Sequence, residues 1–262
     1  MLRIVKAARY VLPFREGSSV PALVEGDDLG MYVVKLRGAG QGEKALIAEL
    51  VTGELGRALG LRVPEIVLVQ LERELAASEP DPELSAPLEA SVGLNVGLDF
   101  LPGSVTADLV ADPAPDAQTA SRIVLFDAFT ANVDRTARNP NLLTWHAQLW
   151  LIDHGASLYF HHGFRPDRPL EGSEDPFTEV KAHVLLRFAS ELESAAEHLR
   201  STLTASLLSQ VTGAIPEVFR DPRDPGTTIA ALRSRYENWL TARLSALPAL
   251  LEEAQRARAL LV

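Results

Sequence analysis

The pattern of apolar residues changes once along the chain, near residue 101, and this change constrains the fold more than any other feature. Before it, apolar residues lie in short runs between turn residues, as at 20–24 and 31–36, which is typical of β-strands. Only residues 43–59 repeat there with a helical period, and Gly60 stands where that helix should end. After residue 101 the pattern is mainly helical. We therefore predict an α+β chain with two lobes, a small β-rich lobe with one main helix and a larger, mainly helical lobe.

The boundary between the lobes is predicted just after residue 100, where a strand-like run ends in a Pro-Gly pair. This division gives an N-lobe of residues 1–100 and a C-lobe of residues 101–262. Residues 72–90 carry six acidic residues and three prolines, so we predict a solvated loop or insertion there rather than part of the core. In the C-lobe we expect a helix over 117–131, then a polar loop and a β-hairpin, and three or four amphipathic helices at the end.

The composition excludes several classes of function. A formal net charge of −10 repels nucleic-acid phosphates, so binding to DNA or RNA is not expected. The chain has no cysteine, which excludes disulfides, thiolate zinc sites and a cysteine nucleophile and agrees with a reducing compartment. No apolar run approaches the roughly 18 residues of a membrane span, and the first residues do not resemble a signal peptide. We expect a cytoplasmic protein without a membrane partner, and its oligomeric state is left open.

The strongest candidate site is a polar loop at residues 132–141, followed by Asp153 at the end of a predicted hairpin strand. Phosphoryl transfer needs a carboxylate that orients the attacking hydroxyl and oxygen ligands that hold Mg²⁺ on the nucleotide phosphates. Asp134 and Asn139, five residues apart, can supply both from one loop, and Asp153 would complete the Mg²⁺ site. Each residue alone would be interpreted as a turn or capping residue. The spacing of all three is that of a kinase catalytic loop and its metal-binding Asp.

Lys35 is the candidate cation for the nucleotide phosphates. It stands in an apolar run that we predict as the third strand, where kinases carry the lysine that binds the α- and β-phosphates. Only four of the 25 basic residues are lysines, so a lysine at this position suggests a need for a compact ammonium group rather than a guanidinium. The alternative is an edge-strand lysine with its ammonium group in water.

These segments resemble a known family. The run Asn-x-Asp-Arg-x-x-x-Asn at 132–139 and the Ile-Asp-His-Gly segment at 152–155 are similar to those of the HipA-like kinases. The resemblance extends upstream to 48–49 and 55–64, and it covers residues 7 to about 160. It implies a protein kinase-like fold, the use of ATP and Mg²⁺, and a protein Ser or Thr hydroxyl as the acceptor. A lipid or small-molecule hydroxyl is left open as the acceptor.

The resemblance also implies roles for individual residues. Asp134 matches the catalytic Asp of the family, and Asn139 and Asp153 match its Mg²⁺ ligands. One departure from the protein-kinase pattern is His154, which stands where those kinases have Phe.

A carboxylate on the N-lobe helix should pair with Lys35, and two residues compete for this role. At about 100° per residue, Glu54 falls within the predicted inward-facing arc of the helix. Glu49 instead shares a face with small residues that would permit close approach to the sheet. The HipA-like resemblance aligns the helix Glu of the family with Glu49. We therefore choose Glu49 as a third catalytic residue, beside Lys35 and Asp134.

Two further segments are predicted to contact the nucleotide. Ser18 and Ser19 lie in the turn between the first two strands, where a kinase has the loop that covers the phosphates. Asp99, Phe100 and Leu101 resemble the hinge that meets adenine through backbone groups. The alternative for both segments is an ordinary turn or connector.

Two weaker features complete the candidates. The Gly-rich link at 38–42 precedes the N-lobe helix and could bind an anion at its N-terminus, but it lacks the Lys-Ser/Thr pair of a P-loop. His161 and His162 are adjacent, and adjacent residues on a strand face opposite sides. We therefore interpret them as surface histidines rather than as a metal-binding pair.

Two other classes of function compete with an active kinase. One is a nucleotide-binding pseudokinase that acts as an interaction module, and the intact set of Lys, Asp, Asn and Asp argues against it. The other is a helical scaffold that acts as an adaptor, and it leaves the polar loop at 132–141 unexplained.

Overall fold

A computed structural model describes residues 2–14, 21–40, 42–76, 82–109, 114–221 and 226–261. Five of the eight described strands lie in the first hundred residues, and the rest of the described chain is mainly helical, as the change in apolar pattern predicts. In the described ranges, no helix is both long and apolar enough to cross a membrane.

The first five strands form a closed barrel. They are β1 (Ile4–Pro13), β2 (Ala22–Gly26), β3 (Met31–Lys35), β4 (Ile66–Leu71) and β5 (Gly93–Asp99). The order around the barrel is β1-β2-β3-β5-β4, and β4 closes it by pairing in parallel with β1, whereas the other pairs are antiparallel. Side chains alternate along β3, so Tyr32 and Val34 are buried while Val33 and Lys35 face the other side.

One long helix, α1 (Glu43–Ala58), follows the third strand and confirms the helix predicted over 43–59. Gly60, with φ +73°, adopts the left-handed conformation expected just beyond its end. The helix packs on β4 and β5. This approach depends on Gly53, because a Cβ atom there would lie 2.3 Å from Ile66 Cδ1.

The prediction of a solvated loop over 72–90 is wrong for the described part of that range. It contains two short helices, α2 (Arg73–Ala76) and α3 (Pro82–Ala90). Ala76 and Leu88 are buried in the apolar cluster inside the barrel. The acidic residues and prolines suggested solvent exposure, but two apolar side chains among them are enough to attach the segment to the barrel.

The C-lobe combines a small sheet with five helices in its described residues. The strands are β6 (Val105–Thr106), β7 (Leu142–Trp145) and β8 (Gln148–Leu151), and the helices are α4 (Ala117–Thr130), α5 (Leu192–Thr202), α6 (Ala205–Gly213), α7 (Ile229–Ser245) and α8 (Leu247–Ala259). The helix predicted over 117–131 and the hairpin after the polar loop are both confirmed. Short 3₁₀ turns at 159–162, 178–182, 186–188 and 217–219 connect the longer elements.

The apolar core of the C-lobe continues into the N-lobe. One cluster of buried side chains runs from α1, β4 and β5 through α4 to α8. The lobes are also joined by backbone, since Leu151 N–H donates to the carbonyl of Arg62 at 2.8 Å. Because the core does not end at residue 100, the division into 1–100 and 101–262 stays a prediction.

Candidate active site

Lys35 ends β3, and two carboxylates surround its ammonium group. Lys35 Nζ is 2.6 Å from Asp153 Oδ1 and 3.8 Å from Glu49 Oε2. The side chain of Lys35 is only 12 % exposed, and β3 is paired on both sides, with β2 and β5. Lys35 is therefore not an edge-strand lysine with its charge in open water.

The structure brings Glu49 rather than Glu54 to Lys35. Glu49 is 1 % exposed and lies on the face of α1 that meets Lys35. Glu54 instead lies 3.4 Å from Arg57 Nε on the same helix and is partly exposed. Helical periodicity predicted the wrong inward Glu, because α1 is buried over most of its circumference and does not have a single apolar stripe.

The charged groups of this cluster stabilise one another in their ionised forms. Burial alone would lower the pKa of Lys35, but the carboxylates of Glu49 and Asp153 outweigh it and raise that pKa above its ordinary value. Burial alone would raise the pKa of Glu49, but the Lys35 ammonium group and hydrogen bonds from His154 lower it. Both Lys35 and Glu49 are therefore charged at neutral pH.

The polar loop after α4 holds Asp134 by hydrogen bonds from two asparagines. Asn139 Nδ2 donates to Asp134 Oδ2 at 2.7 Å, and Asn141 Nδ2 donates to the same oxygen at 3.2 Å. Asn132 Oδ1 accepts from the backbone N–H of Asp134 at 3.1 Å. Asp134 and Asn139 therefore belong to one constellation. Asn141 is a member that the sequence reasoning missed, although its place two residues after Asn139 could have drawn attention to it.

A buried network beneath this loop was not predicted either. Asp127 on α4 is fully buried and accepts from Arg135 Nε at 2.5 Å and from Asn132 Nδ2 at 3.1 Å. His183 Nε2 lies 2.9 Å from Asp127 Oδ2, and Leu185 N–H donates to His183 Nδ1, so the proton of the ring is on Nε2. This network holds the first part of the loop, at Asn132 and Arg135.

The signal for Asp127 was present in the sequence. It is the one charged residue in a run of apolar residues on α4, at 123–129. A carboxylate in such a position must be paired or hydrogen-bonded. Its partners Arg135 and His183 are 8 and 56 residues away along the chain, and no local pattern identifies them.

A cleft of about 560 Å³ lies between the barrel and the C-lobe. Its walls are largely apolar, and the three residues predicted as the hinge, Asp99, Phe100 and Leu101, all line it. The backbone N–H groups of Asp99 and Phe100 already donate to carbonyls within the barrel, at 2.8 Å each. Backbone contacts from these two residues to a ligand would therefore come from their carbonyl oxygens.

A second, more polar cavity of about 290 Å³ adjoins the cleft. Lys35, Asn139 and Asp153 line both cavities, so they stand where the two meet. Glu49 and Asp134 line only the second cavity, as do Ala39, Gly40 and Gly42 of the link before α1. An elongated ligand with an apolar end and a polar end would match this pair of cavities. Because three carboxylates and one ammonium group line the polar cavity, an anionic end would need a bound cation beside it.

Two predicted nucleotide contacts, Ser18 and Ser19, lie outside the described residues. The interpretation of His161 and His162 as surface histidines is wrong for His161, which is buried. The segment is a 3₁₀ turn rather than a strand, so the two rings converge, with their Nε2 atoms 3.1 Å apart. In the described residues, no group of three or more His, Asp or Glu is placed to hold a metal ion.

The side-chain oxygens of Asn139 and Asp153 nevertheless suit a hard cation, which an amide oxygen can also coordinate. Because Asn139 Nδ2 donates to Asp134, its Oδ1 is available to a cation. The side chain of Asp153 is 41 % exposed, and Lys35 contacts only one of its two oxygens. Carboxylate, amide and water oxygens are the ligands that Mg²⁺ takes in proteins.

The fold is that of the protein kinases. The chain aligns over 98 % of its length with 99 % of the crystal structure of a Helicobacter pylori proinflammatory kinase, CtkA, at 12 % sequence identity and a TM-score of 0.61. It also aligns over 99 % of its length with 74 % of the Golgi casein kinase with Mn/ADP bound, at 15 % identity and a TM-score of 0.50. These likenesses confirm the predicted two-lobed α+β kinase-like fold.

The family is also established. The family model of the HipA-like kinases matches residues 8–222, which is most of the chain, and this protein belongs to that family. It is thus a phosphotransferase of the kinase type. A comparison with curated proteins finds no matching sequence.

Proposed function

We propose that this chain uses ATP and Mg²⁺ to phosphorylate a Ser or Thr hydroxyl of a protein. The observation that carries the proposal is the meeting of Lys35, Asn139 and Asp153 at the junction of the two cavities, with Asp134 beside them. In this proposal adenine occupies the apolar cleft, near Asp99, Phe100 and Leu101, and the phosphates occupy the polar cavity. Ser18 and Ser19 remain candidates for contacts to the phosphates.

Each residue has a separate task in this proposal. Lys35 binds phosphate oxygens, and Glu49 holds the Lys35 ammonium group in place. Asn139 and Asp153 hold Mg²⁺, which neutralises charge on the phosphates. Asp134 accepts the proton of the acceptor hydroxyl as the oxygen–phosphorus bond forms and ADP departs. Catalysis rests on position and charge, because the protein forms no covalent intermediate.

The first test is incubation of the purified protein with Mg²⁺ and γ-labelled ATP in the presence of candidate proteins, followed by mass spectrometry for new phosphosites. Phosphate on Ser or Thr supports the proposal. Transfer only to a lipid or small molecule would change the acceptor class. Nucleotide binding without transfer to any of these would instead favour an interaction module.

Two variants distinguish the roles of the carboxylates. Asp153→Ala removes a proposed Mg²⁺ ligand and should weaken Mg²⁺-dependent ATP binding by about tenfold or more, whereas Asp134→Ala should leave ATP affinity within about twofold. Both should abolish transfer. Titration calorimetry measures the affinities, and an equal loss of ATP affinity in both variants would show that the roles are assigned wrongly.

A further inference from the structure

Glu49 is a buried carboxylate that Lys35 alone does not satisfy. The 3.8 Å between Lys35 Nζ and Glu49 Oε2 is an ion-pair distance but is too long for a hydrogen bond. The hydrogen bond of Lys35 goes to Asp153 instead, at 2.6 Å. A carboxylate that is 1 % exposed needs hydrogen-bond donors from the protein, because water does not reach it.

The donors to Glu49 come from His154. Its backbone N–H donates to Glu49 Oε2 at 2.9 Å, and its ring Nδ1 lies 3.3 Å from Glu49 Oε1. The ring is fully buried, and its Nε2 has no hydrogen-bond partner among the residues that the structure describes. For a neutral ring, the tautomer that donates to a carboxylate carries its proton on Nδ1 and leaves Nε2 as an unprotonated acceptor.

The segment that carries His154 holds α1 at a second point. Lys44, in the first turn of α1, donates to the carbonyl of His161 at 2.7 Å. Between these two contacts, Gly155 faces Ala45, and a Cβ atom on Gly155 would lie 3.8 Å from Ala45 Cβ. Residues 153–162 therefore run along the start of α1, so the position of Glu49 is set by the segment that also presents Asp153.

We propose that His154 is a positioning residue, which holds the Glu49 carboxylate by a ring hydrogen bond and thereby keeps Lys35 aligned for the nucleotide phosphates. Protein kinases have Phe at this place, and a Phe side chain has no hydrogen-bond donor. Here the ring adds a second donor. Glu49 thus stays fixed while Lys35 exchanges Asp153 for a phosphate oxygen. This inference rests on the proposed function.

The test compares three replacements of His154. His154→Asn places an amide N–H close to the position of Nδ1. His154→Gln places it near Nε2, where no described residue offers an acceptor. His154→Leu removes the donor. A matched control is His198→Leu, since His198 Nε2 contacts the carbonyl of Leu59 at 3.0 Å and no residue of the candidate site.

The readout is the affinity for Mg²⁺-ADP divided by the affinity for adenosine, both measured by calorimetry. Lys35 meets only the phosphates, so His154→Leu and His154→Gln should weaken ADP binding by about tenfold while adenosine binding changes less than about twofold. His154→Asn should retain most of the ADP affinity. His198→Leu should leave the ratio unchanged even if it lowers the unfolding temperature.

A double-mutant cycle tests whether His154 affects ADP binding through Glu49. If His154 acts through Glu49, the variant with both Glu49→Gln and His154→Leu should lose no more ADP affinity than Glu49→Gln alone. Additive losses, or equal affinities in the Asn, Gln and Leu variants, would overturn the inference while the proposed function stands. An unaltered protein that binds no nucleotide would overturn both.

Discussion

At the scale of single residues, the polar loop at 132–141 depends on charged side chains that are buried away from solvent. Asp127 and Arg135 are both fully buried and form an ion pair with N···O 2.5 Å. Burial alone would raise the pKa of Asp127, but the Arg135 guanidinium and the hydrogen bond from His183 hold it well below its ordinary value. Since Asp134 is the residue directly before Arg135, this pair positions the proposed catalytic carboxylate through the backbone.

The replacement Asp127→Asn should therefore be costly. It leaves the Arg135 guanidinium buried without a counter-charge, which destabilises a protein by about 3–5 kcal/mol. Urea unfolding at pH 7 measures this loss. Asp116→Asn is the matched control, because Asp116 caps the same helix and Asn caps as well as Asp, so its cost should stay near zero.

The same pair of variants tests the pH dependence. A carboxyl group whose folded pKa is lowered contributes stability above its unfolded pKa of about 4, and this contribution is lost as the pH falls through the folded pKa. The unaltered protein should thus lose the Asp127 contribution only in acid below about pH 4. Asp127→Asn should flatten the acid limb of the stability curve. An unchanged acid limb would show that other carboxylates dominate it.

At the scale of the elements, α4 ends where the polar loop at 132–141 begins, and an arginine from α7 binds the carbonyls at that end. Arg243 Nε donates to the carbonyl of Phe129 at 3.2 Å, and Nη2 donates to the carbonyl of Ala128. Burial lowers the pKa of Arg243 to about 10, so it is still charged at neutral pH. A cation at a helix C-terminus stabilises the carbonyls there. Arg243 therefore fixes the position at which the loop after Ala131 begins.

The approach of α1 to the barrel yields another prediction. Alanine normally favours a helix over glycine by about 1 kcal/mol, but a Cβ atom at Gly53 would clash with Ile66 Cδ1, whose side chain is buried. Gly53→Ala should therefore destabilise the protein by about 1 kcal/mol or more. In an Ile66→Val background, which removes Cδ1, the same change should be neutral or stabilising.

Chemical unfolding of the single and double variants measures these effects. Gly213→Ala is the control, because Gly213 is also helical and a Cβ atom there would have nothing within 4 Å. If Gly53→Ala stabilises the protein as much as Gly213→Ala, close packing does not limit the position of α1.

At the scale of the whole molecule, the two lobes share one apolar core. Buried residues of α1 and β4 belong to the same cluster as those of α4, α5 and α8, and α1 also packs on α6. A polar contact also joins the two lobes, because His198 Nε2 lies 3.0 Å from the carbonyl of Leu59. The candidate site lies where the lobes meet, so its geometry depends on this core.

We therefore expect the lobes to unfold together. Differential scanning calorimetry should give one transition with equal calorimetric and van't Hoff enthalpies. All three tryptophans, 145, 150 and 239, lie after residue 100, so their fluorescence reports on the second part, while hydrogen exchange in barrel peptides reports on the first. Two separate transitions, or barrel exchange well before the fluorescence change, would contradict a shared core.

The order and type of most elements follow from the sequence alone, because the period of apolar residues is a local property of the chain. The end of α1, the range of α4 and the hairpin of β7 and β8 were all predicted within a few residues. The sequence also indicated the family, since Asp134, Asn139 and Asp153 keep a distinctive spacing over a short stretch. The helices at 73–76 and 82–90 were missed, because acidic residues and prolines obscured two buried apolar side chains.

The contacts between distant side chains could be found only from the folded chain. It brought Glu49 rather than Glu54 to Lys35, and it joined Asp127 to Arg135 and His183. The physical reason is that these contacts depend on how whole elements pack against one another. A buried charge must be paired, so its partner is the charged or hydrogen-bonding group that the packing places beside it. Periodicity describes one helix at a time, so it cannot show that the neighbour of Glu49 is His154, 105 residues further along the chain.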